Sequence, residues 1–368
     1  MEVLSVAGEV HIDWLSVSQV HPDAPDWGSV RRLDVDPETG ELERETLLGD
    51  TVEGSWSTAL RVRCAGGRVE ISGNPSKWGR LDALTGLATL GECLEVYNRV
   101  LVELGLPPFR RGWYLRTPEG DYRYDGPRIS RVDLTRNLVL GSSRGAATWL
   151  DWLEGQRWGK QLRFHRSGAS TVQAGGRRRR QHVCYDKSLE LRANYKRWAR
   201  SRSFQREQAK RYLTDLADYC DALGIVRQEI RLGTQWLSEN GAYALADNWD
   251  DETPSELFRA QMGIETLEAG VMSDYKTGVY DMLTAAGIGA QQASRAQDKF
   301  LTWLAGGDWR LGLKQAAQYR YAAMLRKHCG VDILRPCNVQ QMSAHVRPVL
   351  LEARPLEAGD LPAWYRAA

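Results

Sequence analysis

The 368-residue chain lacks the features that define several protein classes. It has no uninterrupted run of about 18 apolar residues, so no membrane span is predicted. No basic segment precedes its first apolar stretch, which argues against a secretory signal and predicts that the protein stays in the cytoplasm of the cell that makes it. Its six cysteines include no C-x-x-C pair, so neither a zinc knuckle nor a disulfide framework is expected.

Several catalytic motifs are missing as well. The chain has no G-x-x-x-x-G-K-[ST] loop, no H-E-x-x-H helix and no G-x-S-x-G turn, which argues against an NTP-driven motor, a zincin and an α/β-hydrolase. It also lacks a His-hydrophobe-His pair, and its closest approach to one is His11-Ile12-Asp13.

The composition is otherwise that of a folded protein, but its charge is concentrated. Apolar residues make up 42% and charged residues 26% of the chain, which together with its length suggests about two domains. Residues 177–211 contain thirteen Lys or Arg and three acids, a net +10 in a chain whose total is +2. Such a block favours a polyanionic partner such as nucleic acid, although a solvated helix face has the same composition. The candidate phosphate contacts are Arg177, Arg178, Arg179, Arg180, Arg192, Lys196 and Arg197.

The hydrophobic pattern predicts an α+β fold. Strands are predicted at 9–18, 58–63, 68–72, 128–140 and 225–232, with two short ones within 160–185. Helices are predicted at 83–105, 144–155 and about 188–222. Strands followed by helices indicate a central antiparallel sheet with flanking helices, then a mostly helical C-terminal region. We expect a catalytic domain at 1–235 and, at 236–368, a region that is a candidate for DNA or partner binding.

Four acids lie within the predicted strands. They are Asp13, Glu70, Asp133 and Glu229. A carboxylate in an apolar strand is costly unless it is paired or binds a metal. The four together suggest one cluster for Mg²⁺ or Mn²⁺, which prefer oxygen ligands. The alternative is that each acid pairs with a nearby arginine.

Tyr185 follows the basic turn, and Lys187 lies two residues later. A phenolate can attack phosphorus and form a phosphotyrosine where a cation or metal stabilises the transition state. Lys187 would then stabilise the phenolate or the developing phosphorane. The Y-x-K pattern alone is weak, because most tyrosines at strand ends are packing residues.

Six short motifs in this order resemble the replication initiators of filamentous phages, the gene-two protein family. They are Ile12-Asp13, Val69-Glu70-Ile71 with Pro75-Ser76-Lys77, Ile129-Ser130-Arg131-Val132-Asp133, Arg179-Arg180 followed by Tyr185, Lys187, Glu190 and Leu191, Gly224-Ile225-Val226-Arg227 with Glu229, and Trp364-Tyr365. His11 has no clear counterpart in the family, and the C-terminal region matches only loosely.

The resemblance implies rolling-circle replication of phage DNA in the host cytoplasm. A family member nicks the double-stranded origin, stays joined to the 5′-phosphate through a tyrosine, leaves a 3′-OH primer and later rejoins the displaced strand. The tyrosine corresponds to Tyr185, and the metal-ligand candidates are Asp133, Glu70, Glu229 and Asp13. The implied partners are double- and single-stranded origin DNA, with a host helicase and a DNA polymerase as further candidates.

Three other interpretations stay open from the sequence. One is a replication initiator or relaxase of a plasmid or integrative element. Another is a DNA-binding regulator without chemistry, which needs the basic segment but not the acids. An RNA-binding protein fits the charge, but no aromatic stretch typical of RNA-binding sheets supports it.

Overall fold

The computed structural model describes residues 10–36, 38–39, 41–54, 58–154, 156–158, 162–198, 206–262, 275–304, 307–329, 331–334 and 353–365. Within these ranges lie sixteen strands: β1 His11–Val20, β2 Val30–Val35, β3 Leu42–Leu48, β4 Asp50–Glu53, β5 Ala59–Ala65, β6 Arg68–Gly73, β7 Tyr114–Arg116, β8 Tyr122–Tyr124, β9 Arg128–Val139, β10 Arg157–Trp158, β11 Leu162–Arg163, β12 His165–Gly168, β13 Thr171–Gly175, β14 Arg180–Asp186, β15 Ile225–Leu232 and β16 Arg354–Pro355. The same ranges contain nine α-helices: α1 Leu90–Glu103, α2 Ser143–Glu154, α3 Lys187–Trp198, α4 Arg206–Leu223, α5 Thr234–Glu239, α6 Thr253–Met262, α7 Tyr275–Ala285, α8 Ala290–Leu304 and α9 Gln315–Cys329.

Ten of the strands form one sheet in the order β12-β13-β14-β15-β9-β1-β6-β5-β4, with β16 added beside β9. Every pairing in it is antiparallel. The predicted antiparallel sheet with flanking helices and a helical C-terminal region is confirmed. Three antiparallel pairs, β2–β3, β7–β8 and β10–β11, lie outside this sheet.

The main core covers one face of the sheet and is closed by α1, α2 and α6. Helix α1 begins with a reciprocal capping box between Thr89 and Glu92. The Tyr97 hydroxyl donates to the carbonyl oxygens of Leu15 and Gly73, at 2.8 and 3.0 Å, which fastens the helix to two strands.

A second core lies within α7, α8 and α9 and includes Phe300 and Trp309. Because α5 and α6 pack in the main core, the division between the cores falls after Met262, later than the boundary predicted at residue 235. Ala353 and Leu356 also pack with the sheet region, so the end of the chain returns to the first domain.

Two irregularities bring the polar side chains to one face of the sheet. In the β1–β9 pairing Ile12 lies opposite Leu134 and Trp14 opposite Asp133, which leaves Asp13 as the extra residue of a bulge. Further along, Ser16 pairs with Arg131 and Val17 with Ile129, which leaves Ser130 extra.

Cross-strand partners share a face, so the second bulge brings Arg128, opposite Ser18, to the same side as Arg131. We call this side of β14, β15, β9, β1 and β6 the polar face. The opposite side carries the main core.

Three local predictions need correction. The helix predicted over 83–105 begins at Leu90, after the capping box of Thr89 and Glu92. The helix predicted over 188–222 is two helices, α3 and α4. The strand predicted over 9–18 would place His11 and Asp13, two residues apart, on one face, but Asp13 occupies the bulge.

Candidate active site on the polar face of the sheet

Tyr185 is the penultimate residue of β14, at the junction with α3. The Asp186 carboxylate accepts from the backbone N–H groups of Ser188 and Leu189 at 2.9 and 3.1 Å, as an N-cap side chain does. This turn fixes Tyr185 at the strand end. Its hydroxyl donates to Glu229 Oε1 on the neighbouring strand at 2.7 Å.

The Tyr185–Glu229 contact gives the phenol a direct proton acceptor. Burial and the Glu229 carboxylate hold the pKa of Tyr185 well above its ordinary value, while the Arg227 guanidinium acts in the opposite direction. The phenol is therefore protonated in the resting state. Attack by its oxygen requires transfer of that proton, and Glu229 lies at the distance expected of a general base.

Glu229 begins a chain of alternating charges along the polar face. Its Oε2 accepts from Arg231 Nε at 3.0 Å and Nη2 at 2.6 Å, and Arg231 Nε lies 3.6 Å from Asp133 Oδ2. Asp133 also accepts both donors of Arg131, at 2.9 and 2.6 Å. The guanidinium of Arg131 lies over the Trp14 ring, 4.8 Å from its centroid.

Burial raises the pKa of Asp133 to about 6, against the lowering effects of Arg131 and Arg231. The Asp133 carboxylate thus depends on its two arginines to remain charged near neutral pH. Removing either cation would favour the protonated acid.

Arg227 is a fully buried cation directly across the β14–β15 ladder from Tyr185. Its Nε donates to Asn137 Oδ1 at 3.0 Å and its Nη1 lies 3.3 Å from Asp13 Oδ1. Its Nη2 donates to the carbonyl oxygens of Ala83 and Leu84. A buried guanidinium needs such a full set of acceptors, since an unpaired buried charge is costly.

Lys187 pairs with Glu190, Nζ to Oε2 at 2.8 Å, and its side chain is only 3% exposed. Burial alone would raise the pKa of Glu190, but the Lys187 ammonium holds this pKa below its usual value. Burial, and to a smaller extent the charge of Lys187, lower the pKa of Lys77. The direct role predicted for Lys187 on the tyrosine stays a prediction.

The four predicted metal ligands do not gather into one cluster. Asp133 and Glu229 lie on either side of Arg231, and Asp13 accepts from Asn74 Nδ2 at 2.9 Å. Glu70 lies opposite Ser18 and pairs with Arg63 at 3.1 Å. Since Ser18 is four residues beyond Trp14, the partner of Asp133, Glu70 is roughly 13 Å further along the strand direction.

The donor set of these acids does not fit a divalent ion. Asp133 and Glu229 carry two negative charges that Arg131 and Arg231 balance, whereas a Mg²⁺ or Mn²⁺ site needs an excess of free oxygen ligands. Within the described ranges no three His, Cys, Asp or Glu side chains are grouped to hold a metal ion. In this arrangement the alternative of arginine pairing describes all four acids.

Some of the predicted phosphate contacts are exposed, and others already form ion pairs or lie over an aromatic ring. Arg177, Arg178 and Arg179 are exposed on the β13–β14 turn, and the carbonyl oxygens of Arg178 and Arg179 accept from the backbone at the start of α5. Arg179 pairs with Glu239, and Arg180 lies over the Trp158 ring at 4.8 Å.

Arg192, on α3, pairs with Asp218 of α4 at 2.9 Å. The side chains of Lys196 and Arg197 lie outside the described residues. Among the predicted residues whose side chains the structure describes, Arg177 and Arg178 are therefore exposed and outside the ion pairs and the ring contact given above, so they are open to a phosphate backbone.

The C-terminal segment 353–365 closes the far side of the site, and we call it the C-terminal strap. Strand β16 extends beside the end of β9. The Tyr365 hydroxyl lies 2.9 Å from Thr85 Oγ1 and donates to Asp82 Oδ1 at 3.1 Å. The strap thus holds the segment whose carbonyl oxygens bind Arg227.

Sequence reasoning missed four contributors to this site: Arg227 as a buried cation, Arg231 as a bridge, Lys77, and Tyr365 as a tether. Signals existed for each of them. Arg227 and Arg231 flank Glu229 at spacing two on one strand, and Lys77 and Tyr365 lie within the quoted motifs. What the sequence could not supply was their contacts, since these join segments up to 285 positions apart.

Comparison with known proteins agrees with the motif order. A family model described as the N-terminal part of the phage replication-associated protein, the gene-two protein, matches residues 12–252. The replication-associated protein of the same name from Escherichia phage If1 is 28% identical over 329 residues, which cover 83% of this chain and 97% of that protein.

A rolling circle replication initiator protein from Geobacillus stearothermophilus overlaps 64% of this chain and 78% of its own at 13% identity. Its TM-score of 0.23 is too low to support an argument. The family model covers all the strands that carry the site, from β1 to β15. The resemblance inferred from the motifs is confirmed, and the chain belongs to the family of phage replication-associated gene-two proteins.

Proposed function

We propose that this protein initiates rolling-circle replication by cutting one strand of a phage origin through attack of Tyr185 on a phosphodiester. The observation that carries the proposal is the 2.7 Å hydrogen bond from the Tyr185 hydroxyl to Glu229. A nucleophile paired with a base that a third group orients is the usual arrangement for covalent catalysis. Here Arg231 orients Glu229 through two donors.

In the proposed step the phosphate exchanges its bond to the 3′-oxygen for a bond to the tyrosine oxygen. The phenolic proton of Tyr185 passes to Glu229, the tyrosine oxygen bonds to phosphorus, and the bond from phosphorus to the 3′-oxygen breaks. The 3′-oxygen takes a proton from solvent and becomes the primer end, while the 5′-phosphate remains on Tyr185. The positive charge of the buried Arg227 offsets part of the desolvation cost of the phenolate as it forms.

Rejoining is the reverse reaction, with a 3′-OH attacking the phosphotyrosine. Because the linkage keeps the free energy of the broken phosphodiester, no nucleotide hydrolysis is needed, in accord with the missing P-loop. Strand separation would fall to a host helicase and synthesis to a DNA polymerase, both of which act in the bacterial cytoplasm. Among the described helices, none is long and apolar enough to cross a membrane.

The test is cleavage of supercoiled DNA that carries the cognate origin. The wild-type protein should convert it to the nicked form with protein attached to the 5′ end, and peptide mapping should locate the linkage at Tyr185. Tyr185→Phe should bind the origin with unchanged affinity and not nick it, because the change removes one oxygen and little packing. Tyr319→Phe, a change at an exposed tyrosine of α9, is the matched control and should nick normally.

An EDTA arm tests the cofactor prediction separately. The sequence predicts dependence on Mg²⁺ or Mn²⁺, whereas in the structure the four acids pair with arginines, and transfer of the phenolic proton to Glu229 needs no metal. Asp133→Ala in the same assay tests one of the two most deeply buried of these acids, since Asp133 and Glu229 are both 3% exposed. A nick that EDTA leaves unchanged would contradict the cofactor prediction and not the tyrosine mechanism.

A second candidate is a DNA-binding regulator without chemistry. The pairing of Asp133 and Glu229 with arginines favours it, because such pairing explains the acids structurally. Tight origin binding by the wild-type protein with no nick under any divalent-metal condition would establish this second function.

A further inference from the structure

The β7–β8 hairpin exposes an unusual concentration of large aromatic side chains. Trp113, Tyr114 and Tyr122 are 68, 61 and 71% exposed. Aromatic rings of this size normally contribute to a core or an interface. None of the three packs in the hydrophobic cores formed by the described residues.

One face of this hairpin alternates rings with a guanidinium. Tyr114 lies opposite Tyr124, and Arg116 opposite Tyr122, so all four side chains project to the same side. The rings of Tyr114 and Tyr124 are 5.4 Å apart. The Arg128 guanidinium lies over the Tyr124 ring, 5.8 Å from its centroid. We call the exposed side chains Tyr114, Tyr122, Arg116 and Arg128, with the buried Tyr124 beside them, the aromatic platform.

The base of the hairpin is firmly held. The Tyr124 hydroxyl and the Gly112 backbone N–H both donate to Asp247 Oδ2 at 2.7 Å. A Cβ on Gly112 would lie 2.3 Å from the backbone of Gly126, so a glycine is required for this close approach. Gln19 at the end of β1 binds the carbonyl oxygens of Arg110 and Asp125. The platform is therefore presented on a fixed support.

Arginines connect the platform to the proposed active site. Arg128 and Arg131 share the polar face because of the bulge at Ser130. Arg131 lies over Trp14, and the charge chain continues through Asp133 and Arg231 to Glu229. Arg128 and Asn137, the residue opposite Arg227, are nine positions apart on β9, which spans roughly 30 Å.

The charge of the hairpin together with its flanking residues favours a polyanion. The hairpin itself, residues 114–124, has two arginines and two acids, and with its flanks, residues 110–128, the count is five arginines and three acids. The other exposed hairpin, β2–β3, carries Val30, Leu33 and Leu42 on its surface but has three arginines and six acids over residues 30–48. The β7–β8 hairpin is thus neutral and has positive flanks, whereas β2–β3 is negative, and of the two β7–β8 has the rings and neighbouring arginines that bind unpaired bases.

We propose that the aromatic platform binds single-stranded DNA, with bases stacked on Tyr114 and Tyr122 and the backbone contacted by Arg116 and Arg128. The proposal rests on the proposed function, because the single strand would be the one that is released at the nick. Stacking on aromatic rings tolerates any base and gives little discrimination by sequence. The origin sequence must therefore be read elsewhere.

The experiment measures binding of fluorescent oligonucleotides in the Tyr185→Phe background, where no cleavage interferes. Tyr114→Ala with Tyr122→Ala should weaken binding of single-stranded DNA by about tenfold or more, since one stacked base lost to alanine already gives a several-fold effect. Binding of duplex origin should change less than about twofold. Tyr114→Phe with Tyr122→Phe keeps the rings and should bind single strands as before.

Tyr319→Ala is the matched control, since Tyr319 is 56% exposed on α9 and lies outside the hairpin. The salt dependence gives a second readout. The double alanine variant should keep the wild-type slope of log affinity against log salt, because stacking releases no counterions. Arg116→Ala with Arg128→Ala should reduce that slope by roughly one to two.

Unchanged single-strand affinity in the double alanine variant would overturn the proposal. So would an equal loss on duplex and single strands, which would indicate general phosphate binding or loss of folding. These results are independent of catalysis. If the wild-type protein never nicks but the rings prove necessary for single-strand binding, the platform stands and the nicking mechanism fails.

Discussion

His182 should make this protein sensitive to mild acid. It lies on the core side of β14, fully buried, with its ring 5.5 Å from Trp158 and 5.0 Å from Phe164. Its Nε2 is 3.2 Å from the sulfur of Cys184. Burial, with a smaller contribution from Arg136, lowers the pKa of His182 to about 3. The imidazole is therefore neutral in the folded state.

The size of the effect follows from linkage. The pKa of His182 is lower in the folded chain than in the unfolded one, where it is 6.5, so the unfolded chain binds more protons between these values. Stability from this residue is present above pH 6.5 and is lost as the pH falls. The whole shift corresponds to about 5 kcal/mol at about 1.36 kcal/mol per unit. Between pH 7 and pH 5 the loss is about 2 kcal/mol.

The assay is urea unfolding at pH 7 and pH 5, followed by tryptophan fluorescence. His182→Gln removes the titrating group, and comparing each variant with itself at two pH values cancels the packing lost through the change. The difference between the two pH values should shrink by about 2 kcal/mol in His182→Gln. His165→Gln, at an exposed histidine of β12, should leave it unchanged. An equal pH difference in His182→Gln and wild type would refute the reasoning.

Three further outcomes are expected. Glu229→Gln should slow single-turnover nicking of a single-stranded origin oligonucleotide by a factor on the order of 10²–10⁴ and preserve binding, because a general base is lost. A wild-type rate would show that Glu229 takes no part in the chemistry. Tyr365→Phe should lower the free energy of unfolding, measured by urea titration, by about 1–3 kcal/mol, because Asp82 and Thr85 each lose a hydrogen-bond partner. No loss would show that the strap adds no stability through this contact. Arg177→Ala with Arg178→Ala should reduce the salt slope of DNA binding by up to about two for all sequences alike, and a slope equal to that of wild type would take the turn out of the interface.

The strands of the site could be predicted from sequence because their periodicity is local. The predicted bounds 225–232 match β15, and 128–140 is one residue longer than β9. Tyr185 and Glu229 were both singled out, and their contact is a diagonal across adjacent strands. In the register that β14 and β15 adopt, the tyrosine and the acid share a face and are diagonal neighbours.

The distribution of the four acids could not be predicted in the same way. Glu70 and Asp133 look equivalent in sequence, each in an apolar strand beside an arginine. Their separation depends on the register of β1 with β6 and with β9, and on the bulge at Asp13. A one-residue change of register moves a side chain to the other face, and nothing local in the sequence fixes it.

The buried Arg227 connects these features in one physical argument. An arginine can be buried beside a tyrosine only where several acceptors converge, and here two of them are backbone carbonyl oxygens of residues 83 and 84. Those carbonyl oxygens are available because α1 does not begin until Leu90. The segment is in turn held by Tyr365 from the end of the chain. The acceptors of the cation that favours ionisation of Tyr185 therefore lie on a segment that Tyr365 helps to hold, so a change at Tyr365 should reach the proposed nucleophile through Arg227.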